Sequence, residues 1–233
     1  MIVEICANSF ESAKAAQDGG ADRIELCTDL SVGGLTPARE LIDKVVSELD
    51  IPTHVLIRPR SGNFIYSQDE LEVMFGDIAY CIEMGCAGIV SGVLTSENDI
   101  DIQSTRRLIA ASVGVEFTFH RGFDLCWKPR HQLTTLIELG VVRLLSSGQQ
   151  ANAIDGIELL KELKTVSVGK LEIMPGSGIN PKNALAFKAA GFESIHASAI
   201  KKPKEIATQS FFETGYEGIS DIQTISELVK ILS

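Results

Sequence analysis

The segment Phe117–Cys126, FTFHRGFDLC, places reactive groups at the end of an alternating run. Val115, Phe117 and Phe119 share one face; Glu116, Thr118 and His120 share the other. Alternate side chains of a strand face opposite sides. The pattern therefore buries an aromatic face and turns a carboxylate, a hydroxyl and an imidazole the other way. The run ends at His120, just before Arg121-Gly122-Phe123-Asp124. Ligands of α/β proteins bind where strands run out at their carboxyl ends. An imidazole with an ordinary pKa near 6.5 moves protons there at neutral pH.

Other runs end in groups of the same kind. Glu4 and Cys6, Glu25 and Cys27, Arg58 and Arg60, and His196 and Ser198 share the parity of the polar face. Glu25 is the natural acid or base partner of His120 or His196, and Glu4 adds a second carboxylate. These three glutamates, counting Glu116, are expected to be balanced by Arg58 and by the two histidines, since buried charges must be paired. Arg58 and Arg60 are expected to clamp an anion. His54 begins a strand and His131 sits in a helical pattern, so both are expected to be structural or solvated. Ser147 ends one run, and Pro175-Gly176-Ser177-Gly178-Ile179 ends another. Barrels of alternating strands and helices often hold phosphate in their last loops. Ser147, Gly176, Gly178 and Ser198 are thus candidate anion-binding positions. Gly33-Gly34 can let backbone approach a ligand, with Thr36 as a helix cap. Phe64 and Tyr66 are candidates to cover the mouth.

Cys6 and Cys27 end neighbouring strands on the inward face. Adjacent strands lie about 4.8 Å apart, so the two thiols can meet. Two thiolates favour a soft ion such as Cu(I); the same residues also serve as small space-fillers, since free cysteine is often buried. Cys126, beyond the central segment, is a further candidate near the mouth. Cys81 and Cys86 are expected in the core. No CxxC or HxxxH spacing supports a structural zinc.

The elements that must position these groups alternate eight times. Strand-like runs cover Ile2–Ala7, Arg23–Cys27, Thr53–Pro59, Gly88–Val93, Val115–His120, Val142–Ser147, Leu171–Met174 and Ser194–Ser198. Helical patterns cover Ser12–Asp18, Pro37–Leu49, Gln68–Met84, Ile102–Ala111, Pro129–Leu139, Ala153–Lys164, Pro181–Ala189 and Ile219–Leu232. Pro37, Pro129 and Pro181 suit first turns. Gly19, Gly85, Gly140 and Gly191 suit the left-handed position after a helix. The stretch from Ile200 to Glu217 lacks a period and reads as a loop or short insertion. Eight βα units without a GxGxxG after the first strand predict a closed (β/α)8 TIM barrel, a single domain over residues 1–233, rather than an open doubly wound sheet.

Of 233 residues, 45% are hydrophobic and 22% charged, and the net charge is -10. That balance argues against nucleic acid and anionic membrane surfaces as partners. A local arginine pair can still attract a small anion. Five cysteines, with no secretion signal before IVEIC and no long apolar stretch, suggest reduced thiols and a cytoplasmic protein.

Several stretches together resemble the CutC family of copper homeostasis proteins. They are GGADRIELC at Gly19–Cys27, GGLTP at Gly33–Pro37, IRPR at Ile57–Arg60, FTFHRGFD at Phe117–Asp124, LSSGQ at Leu145–Gln149, GSGI at Gly176–Ile179 and IHAS at Ile195–Ser198. The resemblance implies a (β/α)8 barrel and a cytoplasmic homo-oligomer associated with copper handling. It also implies Cu(I) as the bound metal, with Cys6 and Cys27 matching the family's strand-end cysteines. Two functions follow. One is Cu(I) binding by Cys6 and Cys27. The other is an enzyme, an isomerase, lyase or hydrolase. It would use Glu4, Glu25, Arg58, His120 and His196 on a small phosphorylated or carboxylated substrate. An interaction scaffold has only acidity and self-association to recommend it.

Overall fold

The computed structural model describes residues 1–200 and 218–233. The expected loop from Ile200 to Glu217 therefore lies outside the described residues, apart from Ile200 itself. Among the described residues, eight strands alternate with eight α-helices. The strands are β1 (Ile2–Ala7), β2 (Arg23–Leu26), β3 (Thr53–Leu56), β4 (Gly88–Ser91), β5 (Glu116–Phe119), β6 (Arg143–Ser146), β7 (Glu172–Pro175) and β8 (Ser194–Ala197). The helices are α1 (Phe10–Asp18), α2 (Arg39–Glu48), α3 (Gln68–Glu83), α4 (Ile102–Ala111), α5 (Pro129–Glu138), α6 (Ile157–Ser167), α7 (Ala184–Ala189) and α8 (Ile222–Leu232).

All strand pairs are parallel, in the order β7-β6-β5-β4-β3-β2-β1-β8. A bridge from Gly176 to His196 joins the two ends of the sheet. The register explains the closure. Glu4 faces Arg23; Glu25 leads through His54 and Gly88 to Glu116; Thr118 leads through Arg143 to Glu172; Gly176 leads through His196 back to Glu4. The path climbs two residues on β2, two on β5 and four on β7, which is the shear of a (β/α)8 barrel. The fold is the expected single barrel.

Outward positions such as Ile5, Ile24, Val55, Ile89, Phe117, Phe119, Leu144 and Ile195 pack under the helices in one continuous apolar layer. The lumen is different. Its only apolar cluster among the described residues is small: Cys6, Cys27, Leu56 and Val90, with Leu30 against it. The remaining inward positions are largely polar.

Element ends depart from the sequence reading for local reasons. Gly20, not Gly19, holds the left-handed position after α1; a side chain at Gly19 would strike Ile225, 2.7 Å away. Thr36 does not cap α2. Its hydroxyl accepts the Arg58 amide at 2.8 Å, and the helix starts after Ala38 with no side-chain cap. Pro37 and Pro181 thus precede their helices, while Pro129 does open α5. The start of α6 is displaced to Ile157 because the chain first turns back, with the Ala153 amide donating to Ser177 at 2.9 Å.

Candidate functional site

Because β3 ends at Leu56, strand parity stops governing the chain soon afterwards. Arg58 turns inward and is 4% exposed. Its terminal nitrogens donate to the carbonyls of Val32 and Gly34, each at 2.8 Å, and of Gly62 at 2.9 Å. Its guanidinium lies 4.8 Å from the ring centre of Phe64. No carboxylate pairs with Arg58 among the described residues, so it does not balance Glu4, Glu25 or Glu116 as expected. Its Nε has no hydrogen-bond partner. Arg60 does the opposite. It leaves the lumen, pairs with Glu70 at 2.5 Å and donates to the carbonyls of Asn63 and Ile65. It is not a wall of the cavity described below, which corrects its reading as an anion clamp.

His120 ends β5 and is 5% exposed. Its Nδ1 accepts the Gly122 amide at 3.2 Å, which puts the ring proton on Nε2. Nε2 has no partner. Burial, with help from the Arg58 charge, pushes the imidazole down to about 3, although the backbone contact opposes this. His120 is thus neutral at pH 7 and offers an N–H; it is not the neutral-pH proton carrier expected from its type. The Phe64 ring lies 4.6 Å from the His120 ring and bridges it to Arg58.

On the far side, His196 Nδ1 meets Glu4 Oε1 at 2.7 Å, and Arg23 Nε donates to Glu4 Oε2 at 2.5 Å. Burial alone would push Glu4 up and His196 down. The ion pair overcomes it, holding Glu4 well below the usual carboxylate range and, with the Cys6 contact and the Glu25 charge, His196 well above the usual imidazole range. Glu25 stands beside them, 5% exposed, with Oε2 unpartnered. Burial raises it most, His196 and Arg23 pull it back and Glu4 raises it further, to about 7. Cys6 Sγ lies 3.4 Å from Cys27 Sγ, and that contact, with burial, raises the Cys6 thiol well above its ordinary value. Donor atoms of Cys6, Cys27 and Glu25 all lie within 4.8 Å of one another, as do those of Glu4, Glu25 and His196.

These groups meet at the carboxyl ends of the strands around a cavity of about 340 Å³. Of the residues singled out in the sequence, Cys6, Glu25, Gly33, Arg58, Phe64, His120, Gly178, His196 and Ser198 line it. Glu4, Arg60, Cys27, Ser147 and Gly176 do not. Glu4 and Cys27 are fully buried behind the wall. Ser147 is held by Asp124 at 2.9 Å and Arg121 at 3.0 Å. Gly176 is a packing glycine: a Cβ there would come within 2.5 Å of Leu145. Cys126 packs in the outer apolar layer rather than at the mouth. Cys81 and Cys86 are buried there too, and His131 is exposed.

The sequence reading missed three arginines. Arg121 lines the cavity. Arg23 neutralises Glu4. Arg143 bridges Glu172 at 2.7 Å and Glu116 at 2.9 Å at the amino ends of the strands. There His54 lies 3.6 Å from Glu116, so Glu116 belongs to the opposite pole from the cavity. Arg23 shares the parity of Glu25 and Arg143 that of Leu145, which was the available signal.

The molecule is thus a single (β/α)8 barrel with a polar cavity at its carboxyl-end mouth. Within that class, the chain belongs to the CutC family, whose model matches residues 1–201. The family protein CutC of Histophilus somni (strain 2336) is 46% identical over 200 residues, 85% of this chain and 82% of that protein. That of Glaesserella parasuis serovar 5 (strain SH0165) is 44% identical over 244 residues, 100% of this chain and 99% of that protein. The crystal structure of CutC from Streptococcus agalactiae, 31% identical, superposes with a TM-score of 0.80 over 85% of this chain and 98% of that one.

Proposed function

We propose that this protein is an enzyme whose cavity holds a small anionic organic substrate, with Glu25 acting on it as general acid or base. One observation carries the reading: a buried carboxyl on the cavity wall whose Oε2 has no partner and whose pKa is pushed up to about 7. Such a group exchanges protons at neutral pH. Its neighbours support the role. The Cys6 contact and the Glu4 and Glu25 carboxylates hold His196 as an imidazolium, and His120 supplies a neutral N–H that can polarise a substrate oxygen. Isomerisation, aldol-type cleavage and hydrolysis can each use these parts. The test is the titration of Glu25 by carboxyl ¹³C NMR, together with turnover of a panel of small phosphorylated and carboxylated compounds by wild type and Glu25→Gln. A midpoint near 7 and turnover lost in the variant are expected. A midpoint near 4.5 removes the reading.

A second reading, Cu(I) as cargo, is favoured by the contact between Cys6 and Cys27 with Glu25 in reach. The Streptococcus agalactiae relative is described, provisionally, as a copper homeostasis protein. Soft thiolates suit Cu(I), and both thiols would shed protons on binding. Cys126 takes no part; Glu25 and His196 are the nearer additional donors. Competition for Cu(I) against a chromogenic chelator is expected to show uptake with proton release. A Cys6→Ser, Cys27→Ser double variant with unchanged affinity removes this reading.

A further inference from the structure

Resting on the enzyme reading above, we infer that Arg58 and His120 together form a subsite for a single carboxylate of the substrate, with Phe64 as its fixed backing. Two residues that line the cavity each carry a buried N–H without an acceptor: Arg58 at Nε and His120 at Nε2. Both residues are more than nine-tenths buried. Buried donors left unpaired are costly, and native proteins seldom tolerate them without a purpose. The two side chains contact the same ring, Phe64, at 4.8 and 4.6 Å, which places them side by side on the wall.

Charge selects the ligand class. Three of the five guanidinium N–H groups of Arg58 are committed to loop carbonyls, two on Nη1 and one on Nη2. Nε–H and the second N–H of Nη2 remain, on one edge of the plane, with one positive charge. His120 is neutral and adds a further N–H with no charge. One cation with a planar pair of donors, and a neutral donor beside it, match the two oxygens of a carboxylate monoanion. A phosphate dianion would bring a second negative charge into the cavity that Glu25 also lines, where it would oppose the ionisation of that carboxyl. The Tyr66 hydroxyl approaches Arg58 loosely and feels its charge, but neither it nor Arg58 Nε has a partner at hydrogen-bond distance.

The experiment uses acetate, inorganic phosphate and chloride at matched ionic strength on the full-length protein, with ¹⁵N-labelled histidine side chains observed by NMR. Acetate is expected to shift His120 Nε2 saturably in the millimolar range, chloride not at all, and phosphate at least about fivefold more weakly. His120→Phe is expected to weaken acetate binding about tenfold while leaving the circular dichroism spectrum unchanged. Arg58→Met is expected to abolish binding. Arg58 also anchors two loops, so the wild-type titration and the His120 variant decide the matter if that protein misfolds. No saturable shift with acetate, equal response to phosphate, or full affinity in His120→Phe overturns the subsite. Acetate uptake with Glu25 titrating near 4.5 would instead remove the acid–base reading and leave the subsite standing.

Discussion

Arg58 and Arg60 look alike in the sequence, two apart in one run, yet only one reaches the cavity. The difference is where β3 ends. Alternation predicts orientation only while the backbone stays extended, and the turn after Leu56 sends Arg60 to Glu70. Its replacement by Met is therefore expected to leave acetate affinity unchanged and to lower the urea midpoint slightly; loss of acetate binding would return it to the site. Glu4 shows the converse. Its type and parity marked it as catalytic, but it is wholly enclosed and meets only Arg23 and His196. Removing one member of a buried ionic cluster leaves uncompensated charge, at a cost of about 3–5 kcal/mol. Glu4→Gln is accordingly expected to lower unfolding free energy by that amount and to shift the Glu25 midpoint, because His196 loses its anchor. A change below about 1 kcal/mol would show that the pair is solvated.

At the scale of elements, the eight strands were legible because each carries a buried apolar face of period two. Their lumen was less so. Arg23 and Arg143 open their strands, where a charged residue reads equally well as a loop, and their partners lie on the adjacent strands, far off in sequence. Long-range pairing of this kind leaves no periodic trace. The same is true of Gly88, the first residue of β4. It sits opposite His54 in the register, and a Cβ there would lie 2.7 Å from three atoms of that ring. The glycine makes room for a large inward imidazole on the neighbouring strand. Gly88→Ala is expected to cost about 1–3 kcal/mol through overpacking. Adding His54→Ala should recover part of the loss, so the two substitutions combine less than additively in urea unfolding. Strict additivity would mean that the strand shifts and the ring is untouched.

For the whole molecule, the buried titratable groups set how stability varies with pH. Between pH 6.5 and 4.5 the unfolded chain takes up two protons on His54 and His120, which burial keeps off the folded chain until about pH 4 and 3. Over the same window the folded protein already holds one on Glu25, raised to about 7, that the unfolded chain lacks. The unfolded state therefore binds one more proton, and stability falls by about 1.4 kcal/mol per pH unit on acidification. Above pH 6.5 the sign reverses. Glu25 and His196 are both raised in the folded state; each contributes stability below its unfolded value that is lost as pH rises through its folded one. The urea midpoint is expected to peak close to pH 6.5. The variants separate the contributions. Glu25→Gln removes the opposing proton and should make the acid limb about twice as steep, while His120→Phe should nearly flatten it. A midpoint that stays level from pH 4.5 to 8 in the wild type would mean that these side chains titrate as they do in water, and that the cavity is open enough to hydrate them.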